Sequence, residues 1–279
     1  MQIFNTQIEL EVFLSKIRKK GIKIGFVPTM GALHEGHLDL VKKSVEENDF
    51  TVVSIYVNEL QFNNPIDFNN YPITKEDDID MLKQVSCDAV FMPSSEVMYP
   101  KGYKKISLEL GNLVDVFEGP LRPGHFDGVV QVVYRLFDYI KPNTAYFGLK
   151  DYQQCMVIKA LKNQFFHSIH LVFCPTIRME SGLAMSSRNK RLSPSGLIEA
   201  SYLYKALATV RDLSIHIEAF DAINYGKLLL QKRQIEVEYL ELANADTLAP
   251  GKRWFRKNKN IVLLAVNIEG VRLIDNIGF

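Results

Sequence analysis

Residues 34–37 read His-Glu-Gly-His, two imidazoles three positions apart in a chain with six histidines in all. Such a pair can ligate a metal, satisfy a helix end or polar rim, or donate hydrogen bonds to an anion. The zinc-protease pattern H-E-x-x-H sets its histidines four apart on one helix face with Glu as base. His34 and His37 fall one residue short of that, and no third ligand is evident. Capping is a second reading, because a polar residue at a helix start can take up N–H groups that the helix leaves unpaired. A phosphate site is the third: Gly36 permits close backbone approach, and the imidazoles can donate to phosphate oxygens.

The segments around the pair decide what it can reach. "GIKIGFVP" reads as the first strand, "TMGAL" as a loop in which Gly31 is free to take a conformation closed to other residues, and "EGHLDLVKKSVEEN" as a helix. The histidines then sit at the carboxyl end of a strand and the start of a helix. In open parallel sheets ligands bind at that edge, and the N–H groups and dipole of a helix start favour an anion.

The rest of the first 175 residues repeats this grammar. "TVVSIYV", "DAVFMP", "TAYFG" and "IHLVFCP" read as further strands, several of them apolar on both faces, with helices near 6–20, 36–47, 75–86, 127–140 and 151–165. Strands buried on both faces and separated by helix-length segments predict a parallel sheet with crossover helices, the α/β class. Val129, Val133, Leu136, Phe137 and Ile140 share one helical stripe that should face the sheet. After about 180 the pattern changes to a loop, helical stretches near 195–213 and 218–232, and strands in "VEYLELAN", "IVLLAV" and "VRLIDN", the last two joined through "NIEG". The expected organisation is a Rossmann-like domain over 1–178 and a smaller C-terminal α+β lid domain over 179–279.

Composition removes several classes. The 33 basic and 32 acidic side chains leave a net charge of +1, so no global field favours nucleic acid or an anionic membrane, and phosphate binding must be local. The longest apolar stretches are strand-length, far below the roughly 18 residues that span a bilayer. The N-terminus lacks the basic start and unbroken apolar core of a secretory signal, so a soluble cytoplasmic protein is expected. Cys87, Cys155 and Cys174 show no C-x-x-C spacing and read as core filling in a reducing compartment.

The Thr-x-Gly-x-x-His-x-Gly-His run after a strand resembles the HIGH-type nucleotidyltransferase superfamily. Within it, "FVPTMGALHEGHLDLV" is similar to the pantoate:β-alanine ligase (pantothenate synthetase) family. Other stretches agree in order: "VSIYVNELQF", "FMPSSEVMYP", "LRPGHFDGVVQVVYRLFDYIKPNTAYFGLKDYQQ" and "PTIRMESGLAMSSRN", with a weak return in "RLIDN". The resemblance implies ATP-dependent joining of pantoate to β-alanine through a pantoyl adenylate, with AMP and diphosphate released.

The resemblance also implies roles for residues. Met30, Gly31, Ala32, Leu33, His34, Glu35, Gly36 and His37 would line ATP, as would Gly148, Leu149, Lys150 and Asp151. Ser186, Ser187 and Arg188 belong to a loop that closes on the triphosphate, with Ile177 and Met185 around the adenine and ribose. His37, His34, Lys150 and Arg188 would be catalytic, with His37 the better proton donor. Asn58, Gln61, Tyr71 and Gln154 would hold pantoate and β-alanine; neutral amides match hydroxyl and carboxylate without burying a charge. Mg²⁺ would ride mainly on triphosphate oxygens, with Asp77 and Asp78 as outer contacts; read without the family, these are solvated acids in the first turn of a helix. A homodimer is implied as well. The chain departs from the family at Glu59 (usually Pro), Ile73 (usually Arg, an anion contact or salt bridge) and Leu149 (usually Glu). A nucleotidylyltransferase that leaves the nucleotide on its product shares "HEGH" but leaves the Gln61 and Gln154 stretches unexplained, and a non-catalytic nucleotide binder leaves the His, Lys and Arg set unexplained.

Overall fold

A computed structural model describes residues 1–256 and 259–279, and it divides into two compact units. The first, residues 1–110, 122–149 and 154–175, is built on a six-stranded sheet. Its strands are β1 (Gln2–Phe4), β2 (Ile24–Thr29), β3 (Phe50–Ile55), β4 (Ala89–Phe91), β5 (Thr144–Gly148) and β6 (His170–Cys174), in the order β1-β4-β3-β2-β5-β6. Every pairing is parallel. This is the expected Rossmann-like arrangement, and burial explains it: β3 shows no exposed position and β4 is buried throughout, as strands covered by helices on both faces must be.

"GIKIGFVP" is the second strand in the chain and not the first. Gln2–Phe4 forms an edge strand on β4, and three residues are too few to reveal a period in sequence. The helix His125–Ile140 begins two residues earlier than its periodicity suggests, after Gly124 at φ +79°. Its stripe is buried as expected, and so are Val130, Val132 and Tyr139 off that stripe, because further side chains close over its outer faces.

Strand order runs outward from β2 through β3 to β4, then resumes on the other side of β2 with β5 and β6. The reversal therefore lies between β2 and β5. These two pair only at Gly25–Thr144 and Phe26–Ala145, so their ladder stops short of the carboxyl ends. A crevice at that edge is where doubly wound sheets hold ligands.

The second unit comprises residues 111–121, 150–153 and 176–279. Its sheet is an antiparallel meander of β7 (Glu236–Asn244), β8 (Asn260–Ile268) and β9 (Val271–Gly278). β8 and β9 turn through Glu269 and Gly270, both at positive φ, a conformation whose twist suits a two-residue hairpin. The core of this unit joins Leu203, Leu207 and Val210 to Leu240, Leu264 and Val266. The expected single helical stretch 195–213 is two helices, Pro194–Ala200 and Tyr202–Leu213. They meet at Ser201, whose hydroxyl donates to the Ile198 carbonyl (2.7 Å) and competes with the helix ladder. All three cysteines are buried. No described helix is long and apolar enough to cross a membrane.

Candidate functional site

The loop after β2 is held from two sides. The Thr29 hydroxyl donates to the Ser54 carbonyl (2.7 Å) and accepts from Gly31 N (3.2 Å). Across the loop, the Asp78 carboxylate accepts from Ala32 N (3.0 Å) and Leu33 N (2.8 Å), and its Oδ1 also accepts from the Thr74 hydroxyl (3.1 Å). Gly31 lies at φ +78° and a Cβ there would come within 2.9 Å of Asp78 Oδ2, so only glycine fits under the carboxylate. Ala32 follows at φ +49°, a left-handed conformation unfavourable for a residue with Cβ and sustained by these bonds.

Asp78 is thus neither a solvated acid nor open to an outer contact. It is 1% exposed, and both its oxygens are committed to the loop. Asp77, one residue earlier on the helix Lys75–Gln84, is exposed. Among the described residues no three His, Cys, Asp or Glu side chains form a group that could hold a metal. Replacing Asp78 by Asn sets an amide NH₂ against one loop N–H. We expect a stability loss of about 1–3 kcal/mol, the cost of an unmade buried bond; a urea midpoint equal to wild type would show that the loop is held by other means.

His34 stands at the N-cap position of the helix Glu35–Glu47 in extended backbone, but its side chain makes no capping bond. The His34 and His37 rings stack, with centroids 4.0 Å apart and planes 27° from parallel. Both rings therefore sit together at the start of a helix at the carboxyl edge of β2, where backbone N–H groups and dipole favour an anion. Exposed Glu35 is in the same turn, and Leu33 is buried in the core cluster with Val27, Leu38 and Val41.

The loop after β3 supplies neutral donors. Asn58 is completely buried: its Nδ2 donates to Gln61 Oε1 (3.1 Å) and the Gly128 carbonyl (3.0 Å), while its Oδ1 accepts from the Tyr99 hydroxyl (2.8 Å). Burial pushes the Tyr99 phenol well above its ordinary range and keeps it a neutral donor. Both N–H groups of Asn58 are thus engaged, one of them by the Gln61 amide oxygen. The Gln61 Nε2 donates to Met30 Sδ (2.8 Å), a weak acceptor that a carboxylate or hydroxyl oxygen would outcompete. The Gln61 carbonyl accepts from His125 Nδ1 (2.7 Å). Tyr71 is buried with its ring edge-on to Phe62, centroids 5.7 Å apart. Glu59 and Ile73 are exposed, Ile73 at 69%.

Gly148 ends β5 on the other side of the strand-order reversal, Leu149 follows it, and Gln154 lies half-buried near the start of the helix Tyr152–Phe165. The first unit therefore brings Met30 and the 31–37 loop together with Asn58 and Gln61, and places Gly148 at the neighbouring strand end.

The second unit holds Lys150, Asp151, Ile177, Met185, Ser186, Ser187 and Arg188. Lys150 Nζ lies 3.4 Å from Asp151 Oδ1. The chain from 177 to 185 doubles back, with Met185 N donating to the Ile177 carbonyl (2.9 Å) and Met179 N to the Leu183 carbonyl (2.8 Å). Ser186 caps the turn Ser187–Arg191 by accepting from Arg188 N (3.3 Å). At the base of this excursion Arg178 makes a forked pair with Asp275 (2.7 and 3.0 Å) and lies over the Tyr204 ring, 3.8 Å from its centroid. Burial raises the Asp275 carboxyl, against the opposing pull of Arg178.

Sequence reading gave no role to Tyr99, Gly128, His125, Arg178, Asp275 or Asn276. Their only signal was membership of the quoted stretches "VMYP", "PGHFDG", "PTIRM" and "RLIDN".

The pantoate-beta-alanine ligase family model matches residues 2–278. A pantothenate synthetase of Cytophaga hutchinsonii is 46% identical over 272 residues, 96% of each chain. A crystal structure of pantothenate synthetase from Thermus thermophilus superposes with a TM-score of 0.93 at 38% identity, covering 99% of both chains. The pantoate-beta-alanine ligase from Francisella tularensis, complexed with beta-gamma ATP and beta-alanine, gives 0.83 at 37% identity over 100% of this chain and 97% of that one.

Proposed function

The chain belongs to the pantoate-beta-alanine ligase family, and from that membership we propose which of its residues carry each part of the reaction. It is a ligase that joins pantoate to β-alanine in an ATP-dependent reaction. In the path proposed here, a pantoate carboxylate oxygen attacks the α-phosphorus of ATP and the bond to the bridging oxygen breaks, releasing diphosphate. The β-alanine amine then attacks the acyl carbon of pantoyl adenylate, loses a proton, and expels AMP. Neither step needs a covalent protein nucleophile; both need charge neutralised and groups aligned.

His34 and His37 donate to the triphosphate as charge shifts onto the leaving diphosphate, aided by the helix start they occupy. The backbone of 30–33 and of 148–149 lies along the nucleotide, Ile177 and Met185 against its adenine and ribose. Lys150, Arg188 and the hydroxyls of Ser186 and Ser187 supply cations and donors to the phosphates, with Asp151 as the carboxylate that orients Lys150. Gln61 exchanges its weak bond to Met30 for a pantoate oxygen, Gln154 and Tyr71 complete that side, and Asn58 acts by fixing the Gln61 amide. The observation that carries this reading is the stacked histidine pair at the helix start that follows the loop of Met30, the residue Gln61 contacts.

Mg²⁺ suits a donor set of this kind, because it keeps its waters and takes few protein ligands. Asp77 is the one outer contact left for it, since Asp78 is committed to the loop. When bound it neutralises phosphate charge. A cytoplasmic homodimer with no nucleic-acid or membrane partner completes the proposal. The test is to supply ATP, Mg²⁺, pantoate and β-alanine, follow pantothenate and AMP, and omit each component in turn. Diphosphate release without β-alanine, and AMP release only with it, is the expected pattern. Activity with another hydroxy acid and none with pantoate would overturn the substrate.

A further inference from the structure

Strand β9 carries two consecutive buried polar residues, Asp275 at 4% exposure and Asn276 at 8%. Adjacent strand residues face opposite sides of a sheet. Asp275 shares its side with Val271, Leu273 and Ile277 of the core, an unfavourable place for a carboxylate that an apolar residue could fill. Asp275 meets the Arg178 fork there, and the same guanidinium donates to the Gly182 carbonyl (3.2 Å) and the Asn276 carbonyl (3.4 Å). It thereby closes the 177–185 excursion whose last residue precedes Ser186. The turn Ser187–Arg191 packs against β9 itself. On the other side, Asn276 Nδ2 donates to the main-chain carbonyl of Lys150 (2.9 Å). The two anchors are linked to each other, since Asp275 Oδ1 accepts from Asn276 N (2.8 Å).

We infer that Asp275 and Asn276 are positioning residues that fix, from one strand, both the backbone carrying Lys150 and the backbone carrying Ser186, Ser187 and Arg188. The inference rests on the reading of Lys150 and Arg188 as phosphate contacts. Buried ion pairs contribute more to fixing one arrangement than to stability in several proteins, and the two anchors are adjacent residues joined by the bond from Asn276 N to Asp275 Oδ1. Neither residue touches substrate; each acts through the segment it holds.

Steady-state kinetics of Asp275→Asn, Asn276→Ala and Arg178→Lys in the full-length protein, read beside Lys150→Met and Arg188→Met, test this. Arg178→Lys keeps the charge and loses the fork, so it serves if Asp275→Asn does not fold. The anchor variants are expected to lower kcat/KM for ATP about 10- to 100-fold, as displacement of a positioned group by roughly 1 Å does. Most of that should appear in the KM for ATP, with the KM values for pantoate and β-alanine within about twofold of wild type if only the phosphate contacts move. A role confined to stability would lower the melting temperature and the active fraction and leave the KM for ATP unchanged. That result in the folded anchor variants, with Lys150→Met and Arg188→Met still impaired toward ATP, overturns the inference alone. Unchanged ATP kinetics in Lys150→Met and Arg188→Met would overturn the underlying reading and the inference with it.

Discussion

In His37→Ala, diphosphate release from ATP and pantoate without β-alanine is expected to slow by about 10²–10⁴-fold, the range for loss of a positioned proton donor or charge-stabilising group. The reason is location. His37 lies in the first turn of the helix Glu35–Glu47, stacked on His34, where the helix start already favours negative charge and a side-chain N–H adds a directed donor. Stability should change little, since Ala is the best helix former and the ring is only half-buried at the helix start. His37→Gln keeps one N–H and should recover part of the loss, which separates donation from packing. Single-turnover diphosphate release and a thermal melt on the same samples decide the matter. Wild-type release from a folded His37→Ala protein would remove the imidazole from the chemistry.

The strands were legible because burial on both faces leaves them apolar at nearly every position, and "IGFVPT" and "FTVVSI" carry that signature at full strand length. Gln2–Phe4 was not, because three residues show no period and its place beside β4 is a long-range fact. The break at Ser201 depends on one hydroxyl turning back on its own helix, which a pattern of apolar spacing cannot register. The site divides the same way. His34, His37, Gln61 and the "MSSRN" stretch stand out as residue types at a strand or loop end. What holds them does not: Asp78 reaches its loop across 45 and 46 positions, Tyr99 reaches Asn58 across 41, and Arg178 reaches Asp275 across 97. Hydrogen bonds between distant segments leave no local trace. Asp77 and Asp78 make the point most sharply: adjacent in sequence and alike in chemistry, one faces solvent and the other is buried under the backbone it supports.

A single methyl at position 128 is expected to harm the pantoate side as much as removing a contact would. The helix His125–Ile140 passes the turn Glu59–Gln61 so closely that a Cβ on Gly128 would lie 2.2 Å from the Leu60 carbonyl oxygen, 2.4 Å from its carbon and 2.5 Å from Gln61 N. These are backbone atoms, which cannot swing aside. Two effects oppose each other in Gly128→Ala. Helix propensity favours Ala by roughly 1 kcal/mol, whereas overpacking a filled site costs about 1–3 kcal/mol and more when backbone must move. Contacts this short put the substitution at the upper end, so the steric term wins and the turn shifts. The shift breaks or strains the bond from Asn58 to the Gly128 carbonyl and, with it, the orientation of Gln61. Displacement of about 1 Å should then lower kcat/KM for pantoate roughly 10²-fold, with the KM for ATP far less affected, because the 30–37 loop is held separately by Thr29 and Asp78. Pantoate and ATP titrations with a melting curve distinguish this from general loss of fold. A Gly128→Ala protein that melts higher than wild type and turns pantoate over normally would mean that the helix can retreat from the turn without moving Gln61, and that the orientation of this amide is set elsewhere.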